Sequence, residues 1–401
     1  MADGSAEGGS ATAALRLAVV TTEIGIRSEV WMMRQLQAFT RFRSTLIGWT
    51  RAPDSVPLPD GVESALFSRG DPRKMTTGRR IRRRLGLASG YLPDAATRTE
   101  VRNRIEQCRP DAVLCHFGWN GIVVGASLPP GIPLLVHVHG RDVSLMLRQP
   151  GYRAALAAIM PRVQHLVAVG QFQIDRLAAL FPLPPHSVIP CGAPTGLFAS
   201  RPLPQRNPGD PIRFISVGRI SEEKGVLQSL AAFESVHARH PASTLSLVGQ
   251  GPLEAELDAA IARSPARAAI ERMGYRAPDQ LADVLAGSHV LIQHSRAING
   301  WNEGLPVTLT EGGAAGLPLV VSRNGGIPEQ VRDTENGYLF DSEDVPTQAA
   351  AMLRLAEDEA LRRRMGETAR EVAMAYDSLL LSRRLEDVLV GLTTDASAKA
   401  R

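Results

Sequence analysis

Nine short apolar runs, most of them closing on glycine or a small polar residue, recur along this chain at spacings that leave room for a helix between neighbours. Few folds accept that rhythm. Runs of this length, rich in Val, Leu and Ile and alternating with helical stretches, read as strands of doubly wound α/β domains. Five stand in the first half: LRLAVV at Leu15–Val20, DAVLCHF at Asp111–Phe117, PLLVHVHG at Pro133–Gly140, HLVAVG at His165–Gly170 and SVIPCG at Ser187–Gly192. Four stand in the second: RFISVG at Arg213–Gly218, TLSLVG at Thr244–Gly249, HVLIQHS at His289–Ser295 and LPLVVS at Leu317–Ser322. Between the halves, SRPLPQRNPGDP at 200–211 has the Pro-rich, polar composition of a linker. We therefore expect Rossmann-like domains over 15–199 and 212–375, a final helix over 376–392, and disordered tails at 1–14 and 393–401. Open α/β sheets bind ligands outside the carboxyl ends of their strands, so two such domains facing each other make a cleft lined by their loops.

The length of 401 residues is enough to bury a core in each of two domains. No apolar run approaches the roughly 18 residues of a membrane span. The opening MADGSAEGGSATAA is acidic and small rather than basic then apolar, so a cytoplasmic location is expected. Cys108, Cys115 and Cys191 have neither metal-ligand spacing nor a disulfide framework and are expected as buried thiols. The net charge of +4 is unevenly shared: Met1–Thr195 carries 23 Lys+Arg against 14 Asp+Glu, the rest 22 against 27. Much of the basic excess is the cluster Arg73, Lys74, Arg79, Arg80, Arg82, Arg83 and Arg84. Such a cluster is either a solvated face or a surface for anionic lipid headgroups at the inner membrane face or for a lipid-diphosphate acceptor. A nucleic-acid partner is not expected, since the cluster has no interleaved aromatics and no recognisable binding module.

The chemistry concentrates in EGLPVTLTE, Glu303–Glu311. Pro306 suits the first position of a helix and Gly316 its left-handed stop. Free N–H groups of that first turn would face a diphosphate, with Glu303 just before the turn and Glu311 one turn inside. Carboxylates so placed serve best as acceptors for sugar or ribose hydroxyls, although two glutamates at this spacing also occur on solvated helices. Upstream, the strand ending at Gly218 is followed by Arg219 and Lys224. That combination makes either an anion clamp with close backbone approach or an ordinary solvated loop.

These segments, with LVGQGPLEAEL at Leu247–Leu257, GYRAPDQLADVLAGSHVLI at Gly274–Ile292 and GGIPEQVRDTENGYLF at Gly325–Phe340, resemble the retaining glycosyltransferases of the GT-B fold, group 4. The first loop, TTEIGIRSEVWMM, lacks the paired glycines of most members. Through Ser28 and Glu29 it looks like the polysaccharide-assembly subgroup, and no donor contact is assigned to Gly25. Pro194 stands where many members carry an acidic residue and is likewise given no role.

The resemblance implies two facing Rossmann-like domains, with the last helix crossing back to the first. It places Gly218, Arg219 and Lys224 on the diphosphate of a UDP-, GDP- or similar sugar donor, and the backbone of Gly304, Leu305, Pro306 and Val307 on phosphate or sugar. Glu303 falls on a sugar hydroxyl and Glu311 on the ribose. Tyr275 and Arg276 line the nucleobase, although ordinary packing accounts for Tyr275 equally well. In HG-x-D, His139 falls near the transferred sugar, with Asp142 completing the pattern; His116 is a weaker candidate of the same kind, and His137 reads as structural. The implied reaction moves a sugar to a saccharide or lipid-linked hydroxyl with retention. Neither cofactor nor metal is expected, because no D-x-D carboxylate pair is evident and positioned cations can stabilise the leaving diphosphate. The alternatives are a sugar-nucleotide-binding protein without activity, or a phosphorylase or epimerase on a related fold.

Overall fold

The computed structural model describes residues 14–69, 71, 74, 76–202 and 209–399. The expected N-terminal tail up to residue 13, linker residues 203–208 and Arg73 lie outside them. Strands β1 (Leu15–Val20), β2 (Phe42–Gly48), β3 (Glu63–Leu66), β4 (Ala112–His116), β5 (Leu134–Val138), β6 (His165–Ala168) and β7 (His186–Val188) form one sheet in the order β3-β2-β1-β4-β5-β6-β7. Strands β8 (Ile212–Val217), β9 (Ser243–Val248), β10 (Ile270–Gly274), β11 (Val290–Gln293), β12 (Leu319–Ser322) and β13 (Gly337–Phe340) form another in the order β10-β9-β8-β11-β12-β13. Every pairing in both is parallel. Strand order reverses between β1 and β4 and again between β8 and β11, which puts a switch-point crevice in each sheet.

Burial explains which strands the sequence declared. In β4, β5, β11 and β12 every residue is buried, as continuous apolar runs in a doubly covered parallel sheet must be. Four strands went unread. Strand β2, FRSTLIG, is interrupted by the polar run Arg43–Thr45, while β3, β10 and β13 are short edge strands with partly exposed residues.

Helix α1 (Val30–Ala38) packs against the final helix, Ser378–Lys399, whose Leu381, Leu385 and Leu389 are buried in a first-domain cluster with Leu17, Leu114 and Leu135. The final helix thus packs on the first domain. It runs further than expected: residues 393–399, read as a tail, continue the helix. The Thr393 and Thr394 hydroxyls bond back to Val390 O at 2.8 and 3.2 Å, which lets threonine sit in a helix interior.

Glu386 fixes that helix. Its carboxylate is 1% exposed and accepts the backbone N–H of Thr40 at 2.7 Å and of Arg41 at 2.6 Å, with the Arg41 guanidinium 3.2 Å away. Glu386→Ala takes a charged, buried acceptor from two backbone N–H groups and should cost about 3 kcal/mol in urea unfolding. Asp387→Ala, removing the exposed partner of the same arginine, should cost well under about 1 kcal/mol.

Candidate functional site

The carboxyl edge of the second sheet gathers the charged residues singled out above. Gly218 follows β8 with φ +157°, and a side chain there would meet only Lys224 Cδ, at 4.0 Å, so the space beside its backbone is open. Arg219 is exposed and has no side-chain bond or ion pair among the described residues. Lys224 does have one. It pairs with the Glu303 carboxylate, a very short contact in which one charged group is 23% and the other 7% exposed. Glu303 Oε1 also accepts from Ser295 Oγ at 2.8 Å and Gln293 Nε2 at 3.2 Å, and Asn324 Oδ1 takes the Glu303 N–H at 2.8 Å. These donors converge on one carboxylate oxygen. Ser295, Gln293 and Asn324 were not legible as site residues, because their role appears only when β11 and the loop after β12 are set side by side.

The helix after Glu303 spans Val307–Ala314, with no side-chain cap at its N-terminus. Pro306 is its N-cap rather than its first residue: φ is −65° as a helix needs, but ψ is 120°. Gly316 takes φ +80° just beyond the C-cap, as expected of a left-handed stop. Leu305 is half-buried and Gly304 lies against the first domain. A Cβ on Gly304 would sit 2.8 Å from His139 O, so the two domains come this close only because that position has no side chain.

Glu311 is 7% exposed, and burial pushes its carboxyl up to about 7 despite the opposing pull of Arg34. Arg34 comes from helix α1 of the other domain. Burial lowers its pKa, and Glu311 and Tyr275 both act to hold its proton on. Tyr275 is 45% exposed rather than packed away, and the Arg27 guanidinium stands 5.8 Å over its ring. Arg276 is half-buried, its guanidinium bonded to Tyr275 O at 3.2 Å. Arg27 and Arg34 went unread, since nothing local marks an arginine of the first loop and helix as facing the opposite domain.

In the first domain, His139 follows β5 at the sheet's carboxyl edge. Asp142 is fully buried and accepts the N–H of His139 at 3.1 Å and of Gly118 at 2.9 Å. Desolvation raises its pKa to about 6 against those hydrogen bonds. His139 is held well below the usual imidazole range by burial, then by neighbouring His137 and His116. His116 Nδ1 and His139 Nε2 are 3.2 Å apart, and Trp31 lies 4.6 Å from the His139 ring. His137 bonds Ile189 O at 3.1 Å, as a structural histidine would. Across the cleft, Glu329 of the second domain accepts the N–H groups of Gln171 at 2.8 Å and Phe172 at 2.9 Å, capping the first-domain helix Gln171–Ala178. Arg176 of that helix donates to Asn302 Oδ1 at 2.9 Å.

The raised Glu311 pKa fixes a pH dependence. Folded Glu311 keeps its proton between the ordinary carboxyl value of 4.5 and about 7 while the unfolded chain has lost it, so stability falls as pH rises through that window. Glu311→Gln should therefore be about as stable as wild type at pH 4 and more stable at pH 8, by on the order of 2–3 kcal/mol. Chemical unfolding at the two pH values reads this directly; equal differences at both would show that Glu311 is ionised normally.

Comparison with known proteins agrees with this geometry. Residues 203–372 match the family described as Glycosyl transferases group 1, and residues 59–197 that described as Glycosyltransferase Family 4. An amylovoran biosynthesis glycosyltransferase of Erwinia amylovora is 32% identical over 151 residues, which is 37% of each chain, so the match spans little more than a third of that relative. A putative colanic acid biosynthesis glycosyltransferase of Salmonella typhimurium is 25% identical over 287 residues, 70% of each chain. The structure of Anabaena HepE in complex with UDP superposes with a TM-score of 0.71 over 94% of this chain and 100% of that one, at 15% identity. Two matched family regions lying end to end, on two facing Rossmann-like domains with a crossing-back helix, make this chain a GT-B glycosyltransferase of the group 1 family.

Proposed function

We propose that the protein transfers a sugar, with retention, from a nucleoside-diphosphate sugar to a saccharide hydroxyl in polysaccharide assembly. One observation carries the reading. Arg219, the Lys224–Glu303 pair and the uncapped N-terminus of Val307–Ala314 gather at one sheet edge, with the strand end of His139 against Gly304. The UDP of the Anabaena protein and the polysaccharide roles in the relatives' names support donor and pathway class. A diphosphate seated at that N-terminus meets helical N–H groups and two cations, and these stabilise it most when the glycosidic bond breaks and charge grows on the leaving oxygen. No metal is needed for that stabilisation. Glu303 Oε2, which takes no bond among the described residues, is the acceptor offered to a sugar hydroxyl, while Glu311 and Tyr275 take the nucleoside end. The departing phosphate oxygen receives the acceptor's proton as attack occurs on the same face.

Arg219→Ala should lower kcat/KM by about 10²–10³ with an unchanged thermal midpoint, since that side chain supports nothing else. Lys224→Ala should lose as much activity and some stability, because it strips the buried Glu303 of its cation. Steady-state kinetics with a panel of UDP- and GDP-sugars, alongside thermal unfolding, tests both. Near-normal turnover in both variants would overturn the assignment.

We also propose that the acceptor is presented at an anionic membrane surface, through the helix Thr77–Arg84. That helix has no buried residue. Two arginines of the cluster are committed inward: Arg83 bonds Gly90 O at 3.0 Å and lies 4.2 Å over the Tyr91 ring, and Arg79 reaches the same carbonyl at 3.4 Å. This leaves Arg80, Arg82 and Arg84 exposed beside Ile81, Leu85 and Leu87, which are 52%, 67% and 47% exposed. Among the described residues no helix is long and apolar enough to cross a membrane. Sedimentation with anionic vesicles should pellet wild type at low salt, and pellet much less of a variant with Arg80, Arg82 and Arg84 changed to Ser. Equal pelleting would return the cluster to a solvated face.

A further inference from the structure

Strands β4 and β5 are neighbours, and His116 and His137 are register partners across them. His139 lies two residues beyond His137, so all three side chains fall on one face of the sheet. One ring nitrogen from each lies within 4.8 Å of the others.

The protons on these rings can be assigned. A carbonyl oxygen only accepts, so the 3.1 Å contact to Ile189 O puts the His137 proton on Nε2 and leaves Nδ1 with its lone pair. That Nδ1 is buried with no donor facing it. His116 Nε2 is buried and unpartnered too, whichever of His116 Nδ1 and His139 Nε2 holds the proton between them. Both rings are 0% exposed. Two unpaired nitrogens in one buried cluster carry a desolvation cost that nothing described here offsets.

We propose that His116, His137 and His139 bind one borderline-soft divalent transition-metal ion of the zinc class at the floor of the cleft. Imidazole ligands without carboxylates select this class over Mg²⁺ or Ca²⁺. Zn–N bonds of roughly 2.0–2.1 Å put tetrahedral ligand nitrogens about 3.4 Å apart, and the three rings already bring one nitrogen each within 4.8 Å of the others. The His137 Nε2–H bond to a backbone carbonyl is the outer contact that metal-ligating histidines make. Cys191 Sγ, 3.6 Å from His139 Nδ1, supplies a comparable contact to a second ring. Trp31 and Phe117, with ring centroids 4.6 and 4.7 Å from His139, wall the cluster. The site goes beyond sugar transfer, and binding of the ion does not depend on it.

The test uses the full chain stripped of metal with EDTA and dialysed. Titration with Zn²⁺ in a calorimeter should give one ion per chain, and Co²⁺ should give the visible ligand-field bands of a tetrahedral centre. His116→Gln and His137→Gln should each weaken binding by about 100-fold or more, beyond the loss typical of an outer contact. Zn²⁺ should raise the thermal midpoint of wild type and not of either variant, and the midpoints without metal show whether the variants fold. Wild type that takes up no stoichiometric Zn²⁺ and gives no tetrahedral Co²⁺ spectrum overturns the site, whatever the variants do. So does wild-type affinity in both variants.

Discussion

Every strand pairing in the two large sheets is parallel, and a parallel strand can return only through a crossover. All strand-to-helix turns therefore fall on one edge of each sheet. That constraint decides where the chemistry stands. His116 and His139 close β4 and follow β5; Gly218 and Ser295 follow β8 and β11, on the two sides of the second switch point. None of these residues could have been brought together by an antiparallel meander, whose turns alternate between edges.

Within the cleft, most charge is already answered by protein. Lys224 and Glu303 hold each other, and Glu311 shares its surroundings with Arg34 from the opposite domain. Arg219, unlike Lys224, stands in solvent. In the proposed reaction, the pair would serve catalysis better than two free side chains. Glu303 is fixed by Ser295, Gln293 and Asn324, so its remaining oxygen points where it will be needed before any ligand arrives. Little reorganisation then remains to be done in the transition state.

The doubly wound architecture and its two halves were legible because buried parallel strands are written as uninterrupted apolar runs. So was the helix after Glu303, whose proline entry and glycine exit are local. What stayed hidden was relational. Edge strands such as Gly337–Phe340 carry too little burial to declare themselves. Arg34 and Glu329 sit in ordinary helical sequence and gain meaning only from the domain opposite. His116, His137 and His139 were seen one by one; their grouping depends on the β4–β5 register, which no spacing along the chain reveals.

The returning helix makes the second domain an insertion within the first, so two stretches of chain join the halves. They pass side by side: Ala193 N–H bonds Tyr376 O at 3.0 Å, Ser378 N–H bonds Ala193 O at 2.8 Å, and the Thr195 hydroxyl donates to Asp377 at 2.7 Å. A body held at a two-stranded joint swings about that line and resists twisting across it. The Glu329 cap and the Gly304–His139 approach lie on the cleft side of the joint, so any opening motion separates them together. A jaw hinged on such a joint would keep its bite only while these two polypeptide crossings stay stitched to each other.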